Sequence, residues 1–121
     1  MKVVIAGGRE FNDYDLLREK CDKILSAQTD IEVVSGTARG ADKLGERYAE
    51  EKGYPIQKFP ADWKKYDKGA GSIRNEQMAK YADALIAFWD GVSSGTANMI
   101  NWARHYGLKV KVVNYKKKKK V

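Results

Sequence analysis

The sequence has 121 residues, 43% of them hydrophobic and 32% charged, with 23 Lys+Arg against 16 Asp+Glu and a formal net charge of +7. That length fits one domain, and the apolar share is enough for a packed core, which excludes wholesale disorder. No apolar run approaches the roughly 20 residues of a membrane span, so no membrane partner is expected.

Five short β-branched or apolar runs alternate with longer segments of helical period. Val3–Ala6 comes first, and the start of the chain is too short for a signal-peptide core. Leu17, Cys21, Ile24 and Leu25 then recur at helical spacing, with Asn12 as the expected cap and Phe11 and Leu16 as a hydrophobic staple. After the second run, Ile31–Ser35, one helical face carries Ala41, Leu44, Gly45, Tyr48 and Ala49, and Gly53 stops it. The third run is Pro55–Phe59. Pro60 to Gly71 reads as the one long loop, a feature often tied to function, and a helix is expected over Ser72–Tyr81. Ala84–Phe88 precedes a helix from Ser94 to Tyr106 with Thr96, Met99, Ile100 and Ala103 on one face. Lys109–Val113 is the last run.

Strand and helix alternating this regularly imply βαβ units, hence a parallel sheet covered on both faces. The expected fold is a three-layer, Rossmann-like α/β domain of about five strands in the order 3-2-1-4-5. It should occupy residues 1–115, followed by a basic tail, 116–121. Five lysines, Lys116 to Lys120, belong to that tail; without them 18 basic residues face 16 acidic ones, a balance of +2. A nucleic acid is then at most a weak electrostatic partner of the tail. The single cysteine, Cys21, excludes an intrachain disulfide, fits a reducing cytoplasm and reads as packing. One Cys and one His cannot build a Cys/His zinc site, and no metal is expected.

Ligands of open parallel sheets bind outside the carboxyl ends of the strands. Gly7-Gly8-Arg9 follows the first strand, and Ser35-Gly36-Thr37-Ala38-Arg39-Gly40-Ala41-Asp42 the second. The third leads to Asp62-Trp63 and on to Gly69-Ala70-Gly71-Ser72-Ile73-Arg74-Asn75, and the fourth to Trp89-Asp90-Gly91 and Ser94-Gly95-Thr96. Eight of the eleven glycines lie in these four segments, so the segments read as turns whose backbone N–H groups can hold phosphate. Arg9, Arg39 and Arg74 add charge-assisted forks. In this reading Gly7, Gly8, Arg9, Gly36, Arg39, Gly40, Arg74, Ser94, Gly95 and Thr96 hold phosphate and ribose. Asp42, Asp62, Trp63 and Asp90 shape the rest, and Ser35, Gly71, Asn75, Trp89 and Gly91 belong to the same segments. Trp63, Trp89 and Phe11 are candidate base platforms, although Phe11 suits a staple better. Trp102 reads as core or interface and His105 as a complement to the helix dipole. Lys64, Lys65 and Lys68, interleaved with Trp63 and Tyr66, form either a phosphate-binding loop or a solvated face.

These residues carry a family resemblance. Gly7-Gly8-Arg9 with Phe11 and Asp13, Ser35-Gly36 with Ala38-Arg39-Gly40-Ala41-Asp42, and Phe59-Pro60-Ala61-Asp62-Trp63 resemble the YspA-like branch of the SLOG superfamily. Ala70-Gly71, Arg74-Asn75, Met78, Ala82-Asp83, Phe88-Trp89-Asp90-Gly91 and Ser94-Gly95-Thr96 continue the pattern, which runs from about Lys2 to Val113. The resemblance implies a Rossmann-like fold and relatives that include the LOG phosphoribohydrolases and the DNA-processing protein DprA. It also implies members that sense nucleotide-derived signals, NAD-related ones among them, in conflict between bacteria and phages. A homo-oligomer, dimer or higher, is expected by the same analogy. LOG enzymes carry P-G-G-x-G-T-x-x-E together with an Arg from R-x-x-x-M. Here Arg74-Asn75-Glu76-Gln77-Met78 keeps the Arg, the one candidate catalytic residue, but Met99 stands in place of the Glu. Thr37 likewise replaces the Gly expected after Ser35-Gly36.

The expected function is binding of a small phosphorylated nucleotide, or an NAD/ADP-ribose-like ligand, by a sensor or sequestering module that needs no other cofactor. Nucleotide N-glycosidase activity is the alternative, and nucleic-acid binding through the tail is a third reading.

Overall fold

Val3, Val4 and Ile5 are each fully buried, although they are consecutive and so point to opposite faces of a strand. Only a central strand covered on both sides permits this. In the computed structural model, which describes residues 1–116, that strand is β1 (Lys2–Gly7). It is flanked by β2 (Glu32–Ser35) and β4 (Ala84–Trp89), with β3 (Ile56–Lys58) and β5 (Lys109–Asn114) at the edges. The order is β3-β2-β1-β4-β5 and every pairing is parallel, with Val3 level with both Val33 and Ala84. Fold class and strand order are those expected from the sequence. Residues 117–121, including four of the five tail lysines, lie outside the described residues.

The period-2 geometry of the strands divides the core in two. Val3, Ile5, Val33, Ile86 and Phe88 face α1 (Tyr14–Leu25) and α2 (Ala41–Lys52). Val4, Ala6, Val34, Leu85 and Ala87 face the helices following β3 and β4, through Met78, Ala79, Met99, Ile100 and Ala103. Among the described residues no helix is long and apolar enough to cross a membrane.

Four local expectations are corrected. Asp13, not Asn12, caps α1: its carboxylate accepts the Leu16 N–H at 3.0 Å, and a negative charge suits a helix N-terminus. Phe11 is core, stacked on Phe88 with ring centroids 5.0 Å apart and edge-on to Tyr115 at 4.7 Å, so it is no base platform. The stretch Pro60–Gly71 is not an extended loop. Asp62 accepts the Lys65 N–H at 3.1 Å and caps a single turn, α3 (Trp63–Tyr66). A 3-10 turn, Asp67–Gly69, then leads into α4 (Ala70–Tyr81), which begins two residues before the expected Ser72 because Ala70 is buried and anchors its first turn. The last helix, α5, spans Ser94–His105.

Helix α2 approaches β1 across Gly45, where a Cβ would lie 2.8 Å from Ile5 Cγ2 and 2.9 Å from Ile5 Cβ. Alanine gains about 1 kcal/mol of helix propensity over glycine, but forcing a methyl into a filled core costs about 1–3 kcal/mol. The β-branched Ile5 on the central strand has no room to yield. Gly45→Ala is therefore expected to lower stability by about 1 kcal/mol in urea denaturation, the reverse of the usual effect of this exchange in a helix.

Candidate functional site

At the carboxyl edge of the sheet the strand exits touch backbone to backbone. Gly8 donates its N–H to Phe88 O at 3.1 Å, and its own carbonyl accepts from Phe11 N and Ala41 N, both at 3.2 Å. A Cβ on Gly7 would collide with Phe88 O and lie 2.9 Å from Ala41 Cβ. Gly40 takes a left-handed φ of +80°, and a Cβ there would run into the carbonyls of Gly8 and Arg9. Gly7 and Gly40 are thus required by packing, whatever binds above them.

Beyond these turns lies a cleft of about 660 Å³, within the usual span of small-molecule sites. Gly7, Gly8 and Arg9 border it from β1, Asp42 from α2, Trp63 from α3, and Gly71, Arg74 and Asn75 from α4. Asp90, Ser94, Gly95 and Thr96 complete its wall on the β4–α5 side. A second hollow of about 330 Å³ shares Arg9, Trp63 and Arg74 with the cleft and is bordered also by Gly36 and Arg39. Asp62 borders a third, of about 290 Å³. Ser35, Gly40, Trp89 and Gly91 border none of the three. Ser35 is buried and donates to Glu46 Oε2 at 2.6 Å, Trp89 Nε1 donates to Ser93 O at 3.0 Å, and Gly91 supplies a turn at φ +89°.

Several cleft residues escaped the sequence reading. Tyr115 follows β5 just as the chosen segments follow β1 to β4, so the same strand-end rule, applied once more, finds it. Asn98 had no such signal, because a polar residue inside a helical pattern reads as solvent-facing; Ser72 lies in the chosen segment and Met78 in the family pattern, but neither is among the residues expected to form the site.

Two helix N-termini meet the site on unequal terms. At α2 the first N–H is used internally, Ala41 N bonding Gly8 O, and in the turn before it Ala38 N bonds Asp42 Oδ2 at 3.1 Å. No side chain caps α5, so its first N–H groups, from Ser94 to Thr96, open onto the cleft wall. Asp90 stays out of that role by accepting Val92 N at 2.9 Å and Ser93 N at 2.7 Å.

The charged groups are arranged with equal economy. Arg74 donates to Gly36 O and, through Nε, to Asn75 Oδ1 at 3.0 Å. Asn75, itself buried, donates to Asn98 Oδ1 at 3.0 Å; Asn98 and Trp102 both donate to Ser72 Oγ at 3.1 Å, tying α4 to α5. Arg39 pairs with Glu10 at 2.7 Å on the exposed rim. Arg9 forms no ion pair among the described residues. Thr37 sits at φ +66°, the left-handed region that favours glycine, at the position where glycine was expected. Among the described residues no group of three His, Cys, Asp or Glu side chains is placed to hold a metal.

A parallel sheet of this order, with a polar cleft at its switch edge, defines a Rossmann-like domain. Comparison with known proteins narrows the class. The sequence model of the YspA, cpYpsA-related SLOG family, YAcAr, matches residues 1–66. Gene 61 protein of Mycobacterium phage D29 is 32% identical over 116 residues, covering 90% of this chain and 93% of that protein. The chain belongs to the YAcAr family. The X-ray structure of TM1055 shares the fold, with a TM-score of 0.65 and 20% identity over 90% of this chain and 71% of that one.

Burial raises the Asp42 carboxyl from its ordinary 3.8 to about 6, against the lowering effects of the Ala38 N–H and of Arg74. Between those values the unfolded chain has released its proton while the folded chain keeps it. Stability therefore falls as pH rises from about 4 to 6 and stays lower above that. Asp42→Asn keeps an acceptor for Ala38 N and removes the charge. In urea denaturation across pH 4–8 it should flatten this fall and stabilise the protein at pH 7 by about 1–3 kcal/mol.

Proposed function

We propose that the cleft binds a phosphorylated nucleotide or a nucleotide-derived molecule of the NAD/ADP-ribose kind, and that the protein acts as a sensor or sequestering module in contests between phage and bacterium. The observation that carries this reading is the meeting of Arg9, Arg74 and the uncapped N-terminus of α5 around one cleft of about 660 Å³. Guanidinium forks and helix N–H groups are the two standard means of holding a phosphate. Trp63, 53% exposed on the border of the cleft, offers a flat face for a base. Family membership and the D29 relative support the nucleotide and phage parts of the reading.

Binding without turnover is favoured over N-glycosidic hydrolysis because Met99, at the position of the LOG-type Glu, borders the same cleft. A thioether can neither activate water nor stabilise an oxocarbenium-like centre.

Thermal unfolding with AMP, NAD, ADP-ribose and cyclic nucleotides tests the proposal. At about 100 times its Kd, a ligand of the folded state adds about 2.7 kcal/mol and should raise Tm by roughly 5–10 °C. Arg74→Ala and, at a more exposed position, Arg9→Ala should abolish most of that shift. No shift with any of these compounds in a folded sample would overturn the reading; release of free base, lost in Arg74→Ala, would replace binding with hydrolysis.

A further inference from the structure

Asp42 borders the cleft from the first turn of α2, yet it is only 6% exposed. Its Oδ2 accepts Ala38 N at 3.1 Å, while Oδ1 meets no donor among the described residues. No fully enclosed side-chain oxygen or nitrogen among those residues lacks a partner, so Oδ1 keeps an opening. Of the three hollows, Asp42 borders the cleft alone. The other two carboxylates on the cleft are engaged: Glu10 pairs with Arg39, and Asp90 accepts two backbone N–H groups.

A structural role accounts for only half of this carboxylate. Holding the Ala38 N–H takes one oxygen, which an asparagine would supply without burying a charge. The Arg74 guanidinium lies across Gly36, where a Cβ would be 2.7 Å from Nη1 and 2.8 Å from Asp42 Oδ2. Even so, the two form no ion pair among the described residues. Arg74 commits Nη1 to Gly36 O and Nε to Asn75 Oδ1, which leaves Nη2. A ligand that answers both residues carries an anionic group and, close to it, a hydrogen-bond donor. In a nucleoside 5′-phosphate the ribose hydroxyls are the donors nearest the phosphate. Those of the base lie farther off, and Trp63 offers the base a surface of its own.

Resting on the nucleotide reading above, we infer that Asp42 accepts a hydrogen bond from a ribose hydroxyl of the ligand and makes the cleft selective for ribonucleotides over their deoxy counterparts. A bond to an ionised acceptor is roughly twice as strong as one between neutral groups. A ligand without the hydroxyl leaves the buried oxygen unpartnered, so the site discriminates by penalty as well as by attraction. The charge that lowers the stability of the free protein is satisfied once the ligand is bound, a division typical of residues set by function rather than by folding.

Calorimetric titration at pH 8, above the raised range of Asp42 at about 6, tests this. AMP, ADP-ribose and NAD are each measured beside analogues lacking the 2′ or the 3′ hydroxyl of the adenosine, with the wild-type chain and with Asp42→Asn. The asparagine keeps the Ala38 contact, and urea denaturation of the same sample should show it folded at least as stably as the wild type. The wild type should bind a parent compound about thirty-fold more tightly than the analogue without the bonded hydroxyl, and Asp42→Asn should reduce that ratio to about three-fold. The ratio cancels any general effect of removing a negative charge near the phosphate. Equal affinities for parent and analogues in the wild type, or an unchanged ratio in Asp42→Asn, would each overturn the inference while leaving the nucleotide reading in place. Binding of none of the three parents would also overturn it; if cyclic nucleotides fail as well, the nucleotide reading falls with it.

Discussion

The carboxyl edge of the sheet hangs on one carbonyl oxygen. Gly8 O takes the N–H groups of Phe11 and Ala41, while the Gly8 N–H goes to Phe88 O, so the exits of β1 and β4 and the entrance to α2 are bound at a single residue. Buried backbone groups left without partners are costly, and here three hydrogen bonds satisfy five of them at once. The contact is close enough that Gly7 and Gly40 admit no side chain. This constraint also assigns the helix N-termini their tasks. The first N–H of α2, that of Ala41, is used within the fold, while no side chain caps α5.

A second layer of order lies across the cleft. Asn75 is buried yet fully occupied, accepting from Arg74 and donating toward Asn98, which in turn reaches Ser72 and, through it, Trp102. Such a network fixes the direction of the Arg74 guanidinium before any ligand arrives, which lowers the entropy lost on binding. Burial has the opposite effects on the two charges beside Gly36. It lowers the pKa of Arg74 and raises that of Asp42, so each is held closer to its neutral form than it would be in water.

Much of the fold was legible in the sequence because its signals are local. Continuous β-branched runs between helical periods imply a covered parallel sheet, and Val3–Val4–Ile5 needs no tertiary information to be read that way. The strand-end rule points to the cleft, which Arg9, Asp42, Arg74 and the Ser94–Thr96 turn all border. Less legible was which glycines are open to a ligand and which are closed by packing, since Gly40 and Gly95 look alike in sequence but differ in what surrounds a Cβ. The Asn75–Asn98–Ser72 chain was also hidden: its members lie 23 and 26 residues apart, and nothing local marks polar helix positions as inward-facing. Asp13 displaced Asn12 as a cap, and Asp62 turned a supposed loop into a helical turn, because capping depends on where a backbone N–H points rather than on residue type alone.

The position of β1 has a consequence for how the chain folds. It is the first strand made and the centre of the sheet, yet its fuller ladder is with β4, pairing Val3 with Ala84 and Gly7 with Phe88 about 81 residues later. Closing so long a loop is the entropic step that parallel sheets face late, and contacts of this separation slow folding. The cleft is walled by residues from Ala6 to Tyr115, so no partly folded half of the chain contains it. Occupancy of the cleft thus reports completion of the whole domain, and a bound molecule strengthens both halves together instead of a local hinge or lid.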